Sequence, residues 1–255
     1  PVFIREQTGE KLLPWTGGQT YKLNEDNQVN SWLAMGRSLY SAFRLRNSFL
    51  LALLLFMSQG AYNYFEKLLP IFAVRVSGWT NVQYSHTFAI ADVTGGVAGI
   101  LLGGYLIEKF GMKRMIYIYF AFIIGQSVLL SFSHNYWQNT PFLYGFLVIY
   151  RWVNAFAKIG VFAIAMQCCS KRISASQFTF YMTIGAVGSM VGAALISPIK
   201  AHFNWEVAFL LFGVMLAACA LILRILNIEK LEKQVADMAD REVEKSRLEL
   251  HTYEV

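Results

Sequence analysis

The chain has 255 residues, of which 56% are hydrophobic, 15% aromatic and only 15% charged, and its mean hydropathy is +0.42. That balance excludes an ordinary soluble domain. The net charge of +6 does not point to nucleic acid either, because the basic residues gather in short loops between apolar stretches, where they report membrane topology.

Residues 1 to about 46 are polar, with Pro14 and Gly17-Gly18, and close on an amphipathic piece, WLAMGRSLYSAFRLRN, suited to lying on a membrane surface. The sequence starts at Pro1, and its first stretch lacks the short apolar middle of a signal peptide, so an internal cut in a longer protein is expected. Six runs follow that are long enough to cross a bilayer core, predicted at 48–76, 84–107, 115–132, 142–169, 175–199 and 206–226. After residue 226 comes a charged tail, IEKLEKQVADMADREVEKSRLEL, with Ile228, Leu231, Val235 and Met238 at helical spacing; it is expected to form a solvated or partner-facing helix. One side of the membrane collects Arg44, Arg46, Lys109, Lys113, Arg114, Lys171 and Arg172, and the other only Arg75 and Lys200, which places both ends in the cytoplasm.

The six spans read as three plus three. The first and fourth carry the charges, the second and fifth carry glycines (GGVAGILLGG and GAVGSMVGAA), and the third and sixth are plain, the pattern that inverted repeats leave in sequence. The expected fold is therefore an all-α membrane protein, a six-helix bundle over 47–226 flanked by the segments 1–46 and 227–255. Asp92, Gly96, Gly99 and Gly103 fall on one stripe, as do Gln177, Tyr181, Gly188 and Gly192; both are expected to let a neighbouring helix come close. No GxGxxG follows a strand, so a nucleotide site is rejected. Pro70 and Pro198 are expected to bend their helices.

Intramembrane charge is the informative feature, since each such residue costs about 2.5 to 3.5 kcal/mol on insertion scales. In the first span Gln59, Asn63 and Glu66 share one sector with Pro70, and in the fourth, within YRWVNAFAK, Arg151 and Lys158 do the same, with Asn154 and Tyr62 at the flanks. Glu66, Asp92 and Arg151 each lie about 15 Å in by helix rise, with Lys158 about two turns further toward the cytoplasm. On this placement Asp92 pairs with Arg151, Glu66 loads and releases a proton, Lys158 meets an anionic group of a substrate, and Lys67 pairs locally. The plainer alternative is that the charges satisfy one another and fix helix register; for Asp92, on the glycine stripe, the two readings stand level.

The second span ends GGYLIEKFGMKR, and here the chain resembles the major facilitator signature G-x-L-x-D-[RK]-x-G-[RK]-[RK], with Gly104, Leu106, Glu108, Lys109, Gly111, Lys113 and Arg114 at the matching places, glutamate for aspartate at Glu108, and Met112 where a basic residue is usual. The resemblance implies a loop that latches the cytoplasmic ends of the two halves of a transporter and, with a long polar segment before the first span, helices seven to twelve, so that an N-terminal six-helix half is the missing partner. The stretches MQCCSKRISASQF and VGSMVGAALISP are similar to the AmpG-type muropeptide permeases and their peptide and acetyl-CoA transporter relatives.

What this implies is a secondary active transporter of the inner membrane, expected to be a proton-coupled symporter for a small anionic or peptide-sugar solute. It would have no cofactor and no metal; its partners would be the solute, the proton and the lipid bilayer. An efflux carrier for amphiphiles and a receptor or assembly subunit remain as alternatives. An intramembrane enzyme is not indicated, because no paired aspartates, serine with lysine, or histidine cluster share a depth.

Overall fold

The computed structural model describes residues 45–169 and 174–235, together with Tyr40 and Asp237; the side chains of Ile100 and Glu108 are outside it. The amphipathic segment before residue 45, the loop cations Lys171 and Arg172, and the far part of the charged tail, Met238 included, thus lie outside the described residues.

The described bundle is built from α1 (Arg46–Arg75), α2 (Asn81–Phe110), α3 (Met112–Phe132), α4 (Thr140–Gln167), α5 (Ser174–Ala194), α6 (Ile196–His202) and α7 (Trp205–Ile225). No strand occurs among the described residues. Local chemistry sets the boundaries. Thr80 and Gln83 exchange side chain and backbone in a capping box that starts α2. Asn139 accepts from the Phe142 N–H to start α4. Gly111, at φ +83°, turns the chain from α2 directly into α3, a conformation a side chain would resist.

Four helical stretches, α3, α4, α5 continued through α6, and α7, are long and apolar enough to cross a membrane; α2 is a fifth if Asn81–Gly99 and Leu101–Ile107, inclined at 46°, count as one span. In α1, thirty residues long, the stripe through Gln59, Asn63 and Glu66 dilutes the apolar run. The fifth span runs from Ser174 to His202 with an interruption of the helix at Leu195, near the Pro198 where a bend was expected, and Pro198 falls in the first turn of the short α6, where its missing N–H has little cost. Helix α1, by contrast, runs on through Pro70 without a break.

The packing has the symmetry of the sequence pattern. The most extensive contacts are α1 on α5, α2 on α4 and α3 on α7, followed by α1 on α7 and α3 on α4. Exchanging the first three spans for the last three maps α1·α5 onto α4·α2 and α1·α7 onto α4·α3, and leaves α3·α7 unchanged. Glycines make the two crossings possible. A Cβ on Gly188 would run into the backbone carbonyl of Phe56, and one on Gly192 into that of Gly60. On α2 the contact row is Gly95, Gly99 and Gly103, facing Trp152, Ile159 and Phe156 of α4, whereas Gly96, expected in that row, has nothing within 4 Å.

Between α1, α4 and α7 lies an aromatic core in which Phe65 stacks on Phe212 at 4.1 Å and meets Tyr150 edge-on at 4.9 Å. At the end bearing the Gly111 turn, residues 228–235 form a helix whose Leu231 and Val235 are buried in the same core cluster, with Gln167 donating to Glu232. For residues 228–235 this corrects the expectation of a solvated or partner-facing tail: these first turns dock on their own bundle because Leu231 and Val235 are buried there and Ile228 packs against the same cluster.

Candidate functional site

Three helices bring four charges together. Arg151 of α4 donates from Nη1 to Glu66 Oε1 of α1 at 2.6 Å and pairs through Nη2 with Asp92 of α2. Lys158, two turns on along α4, donates to the same Glu66 Oε1 at 2.8 Å, and Asn154, one turn after Arg151, adds a third bond there at 3.1 Å. Two cations and two anions make the cluster neutral, which is how charges are tolerated in a low-dielectric interior.

The Asp92–Arg151 pair is the expected one; the engagement of Glu66 by both Arg151 and Lys158 is not, and helix geometry explains it. Residue counting set Lys158 about two turns from Glu66, free for a substrate. But α1 and α4 run in opposite directions, and Cα–Cβ bonds tilt toward each helix's own N-terminus, so the two side chains lean toward each other and the lysine stem closes the axial gap. Lys67 makes no ion pair among the described residues and is exposed. Asn63 keeps a buried, unpartnered Oδ1, and Gln59 packs against Gly185 of α5 rather than joining the cluster.

Exposure grades the four charges. The Arg151 side chain is 8% accessible, Glu66 22%, Lys158 29% and Asp92 52%. A carboxylate that open, about 15 Å from the helix ends, has to face water or another protein surface rather than lipid. Aromatic rings insulate the rest: the Arg151 guanidinium lies 4.2 Å from the Phe88 ring centre, and Lys158 Nζ 5.6 Å from that of Tyr62. Phe88 was not singled out from sequence, although it stands one turn before Asp92, and Tyr84 a turn before that, on the face toward α4. Among the described residues no group of His, Cys, Asp or Glu could hold a metal ion.

Residues 5–193 and 91–250 match the profile of the Major Facilitator Superfamily, so together they cover nearly the whole chain. The chain belongs to the Major Facilitator Superfamily. It is 24% identical over 152 residues to an uncharacterized transporter of Buchnera aphidicola subsp. Schizaphis graminum, covering 58% of this chain and 34% of that protein. It is 28% identical over 151 residues to the uncharacterized MFS-type transporter YcaD of Escherichia fergusonii, covering 54% of this chain and 37% of that one. The match thus spans about a third of the length of these curated relatives. No solved structure matches the chain.

For a major facilitator protein the α2–α3 turn is the second place to look. Gly104 and Gly111 have open space where a Cβ would be, so in this bundle Gly111 serves conformation and neither serves close packing. Lys113 reaches across to the end of α7, donating to the Leu226 carbonyl at 2.6 Å and lying 3.5 Å from that of Arg224, so it caps two carbonyls that no helical N–H serves. Lys109 lies over the rings of Tyr105 and Phe110, and Arg114 is exposed. Glu108 is outside the described side chains. The turn therefore staples α3 to α7 within this bundle.

Proposed function

We propose that the chain is the C-terminal six-helix half of a proton-coupled secondary transporter of the inner membrane, with both of its ends cytoplasmic, carrying a small anionic or peptide-sugar solute, muropeptides among them, inward by alternating access. One observation carries the reading: a single oxygen, Glu66 Oε1, takes both cations, and one of those cations, Lys158, is open enough to change partners.

The chemistry follows from the charges. A proton on Glu66 cancels the charge that holds Lys158 and Arg151. Arg151 keeps Asp92, but Lys158 is left without an anion, and a carboxylate of the solute takes the vacated place. One proton and one carboxylate together leave the cluster neutral again, so loading either alone is disfavoured and loading both is not. Release on the other side reverses the exchange: Glu66 loses its proton, recovers Lys158 and expels the solute. Asn154, Asn63 and Tyr62 lie beside the exchanging pair with polar atoms to offer amide or hydroxyl groups of the cargo; Gln59 lies further off on the same helix. Because α1 and α2 each contribute one carboxylate and α4 both cations, tilting any of these helices alters the cluster, which is the link between proton binding and alternation that symport needs.

The test uses the full-length protein in vesicles. Glu66→Gln is expected to slow uptake driven by a pH gradient while exchange of labelled for unlabelled solute survives; equal loss of both would remove the coupling role. A muropeptide and a lipophilic cation offered in parallel separate an importer of anions from an efflux carrier for amphiphiles.

A further inference from the structure

Around the charge cluster the chain buries phenols whose hydroxyls have no partner among the described residues. Tyr62, Tyr84 and Tyr150 are 1%, 7% and 1% accessible, and among the described residues none of their oxygens is hydrogen-bonded. The Oδ1 atoms of Asn63 and Asn154 and the Nε of Arg151 are in the same condition. Each buried hydroxyl left unmade costs about 1 to 3 kcal/mol, and phenylalanine would fill the same space without that cost. The chain uses phenylalanine freely beside them: Tyr150 packs against Phe65, Phe146 and Phe212, and Tyr84 stacks on Phe88. Packing therefore explains the rings and not the hydroxyls.

Their positions are ordered. Counted along the helices from the end away from Gly111, Tyr84 lies about 5 Å in, Tyr150 and Glu66 about 15 Å, and Tyr62 about 20 Å. By depth Tyr150 stands between Tyr84 and Tyr62, and it is within electrostatic reach of both, as of Glu66 and Arg151. Tyr84 likewise feels Arg151 and Glu66, and Tyr62 feels Glu66 and, from α7, Cys219. The remaining charged groups facing this space are Asp92 of α2 and Lys158 of α4. Glu66 thus has phenols on both sides of it along the membrane normal.

We infer that Tyr84 and Tyr150, bridged by internal water, form a proton relay from the end opposite Gly111 to Glu66, running inside this half of the protein rather than through the solute cleft. The inference rests on the proton-coupled reading above. Buried polar atoms in such number are where proteins hold ordered water, each molecule making two to four hydrogen bonds. A proton arriving at the Tyr84 hydroxyl is accepted there as that hydroxyl passes its own proton on, through water to Tyr150 and so to a Glu66 carboxylate oxygen; each phenol ends unchanged, and the only net change is a protonated Glu66. Separate routes for proton and solute would let Glu66 titrate while its Lys158 side stays closed to bulk water. These tyrosines are positioning residues, because they act through Glu66.

The experiment measures, for the full-length protein in vesicles, uptake driven by a pH gradient and solute exchange at fixed pH, in the wild type, Tyr84→Phe and Tyr150→Phe. Each variant removes one oxygen and keeps the ring, and thermal unfolding in detergent checks that the fold is intact. The relay predicts gradient-driven uptake slowed on the order of tenfold in either variant with exchange unchanged, and the pH at which exchange is half-maximal unmoved, since Glu66 keeps its partners. Uptake as in the wild type for both variants overturns the relay and leaves proton coupling standing. A wild type indifferent to the pH gradient overturns both. Equal loss of uptake and exchange makes the hydroxyls structural and also overturns the relay.

Discussion

Arg151 and Lys158 both hold Glu66, yet they are not equivalent. Arg151 is nearly closed off and serves two carboxylates on two helices, whereas Lys158 is 29% accessible and serves one. Arg151→Met leaves Glu66 and Asp92 short of a cation in a partly buried site, and removing one member of such a network costs about 3 to 5 kcal/mol unless a carboxyl takes up a proton. Lys158→Met leaves Glu66 with Arg151 and Asn154 and should cost about 1 kcal/mol, discounted for its exposure. The thermal unfolding temperature of the detergent-solubilised protein is thus expected to fall much further for Arg151→Met. Transport should divide the other way. Lys158→Met is expected to weaken binding of an anionic solute more than that of a neutral analogue, and equal weakening would show that the lysine does not meet the cargo.

At the scale of helices, the two glycine crossings decide how α1, α2, α4 and α5 pack. An alanine at Gly192 or Gly188 meets backbone carbonyls, which move only if the helices part, so each is expected to destabilise by about 1 to 3 kcal/mol or more and to lower yield. Gly96→Ala has nothing within 4 Å and gains helix propensity, so it should be neutral or stabilise by about 0.5 to 1 kcal/mol. Spacing alone places Gly96 rather than Gly95 in the stripe, since both are glycines one residue apart and only the neighbour settles which faces inward. Helix positions were legible where the run is plainly apolar, the fourth expected at 142–169 and found at Thr140–Gln167, because bilayer thickness fixes their length. The charged residues were legible as a set and so was the Asp92–Arg151 pair, but the hold of Arg151 and Lys158 on Glu66 was not, because it depends on side-chain tilt between antiparallel helices. The tail misled for a related reason: its charge dominates the sequence, and what decides its first turns is the burial of Leu231 and Val235. Truncation after Asp237 should leave stability and transport intact, whereas truncation after Asn227 removes two buried side chains, worth about 1.5 to 3 kcal/mol each, and should lower the unfolding temperature. Uptake that survives the shorter cut also argues against a receptor whose spans only anchor the tail.

For the whole molecule, the surface of the bundle has two characters. On α7 the exposed row Val214, Leu221 and Ile225 is purely apolar, at 65%, 62% and 57% accessibility, and suits hydrocarbon. On α2 an Asp92 side chain 52% accessible stands at mid-membrane depth, beside an exposed Trp152 whose indole N–H donates to Thr94. A half-open carboxylate there is compatible with water or a partner surface and not with lipid. The proposed transporter requires water, in a cleft that opens to one side at a time. In a background with Cys168, Cys169 and Cys219 replaced by alanine, a thiol at Asp92→Cys is therefore expected to react with a charged, membrane-impermeant thiosulfonate in the full-length protein, and saturating solute is expected to slow the reaction. A thiol at Leu221→Cys, at least as exposed on the isolated bundle, should stay unreactive because lipid excludes the reagent. If both positions are inert in every conformation that the pH gradient can populate, the α2 face is sealed by protein, the cluster serves only to fix helix register, and the exchange of Lys158 between Glu66 and a solute has no route by which a solute could reach it.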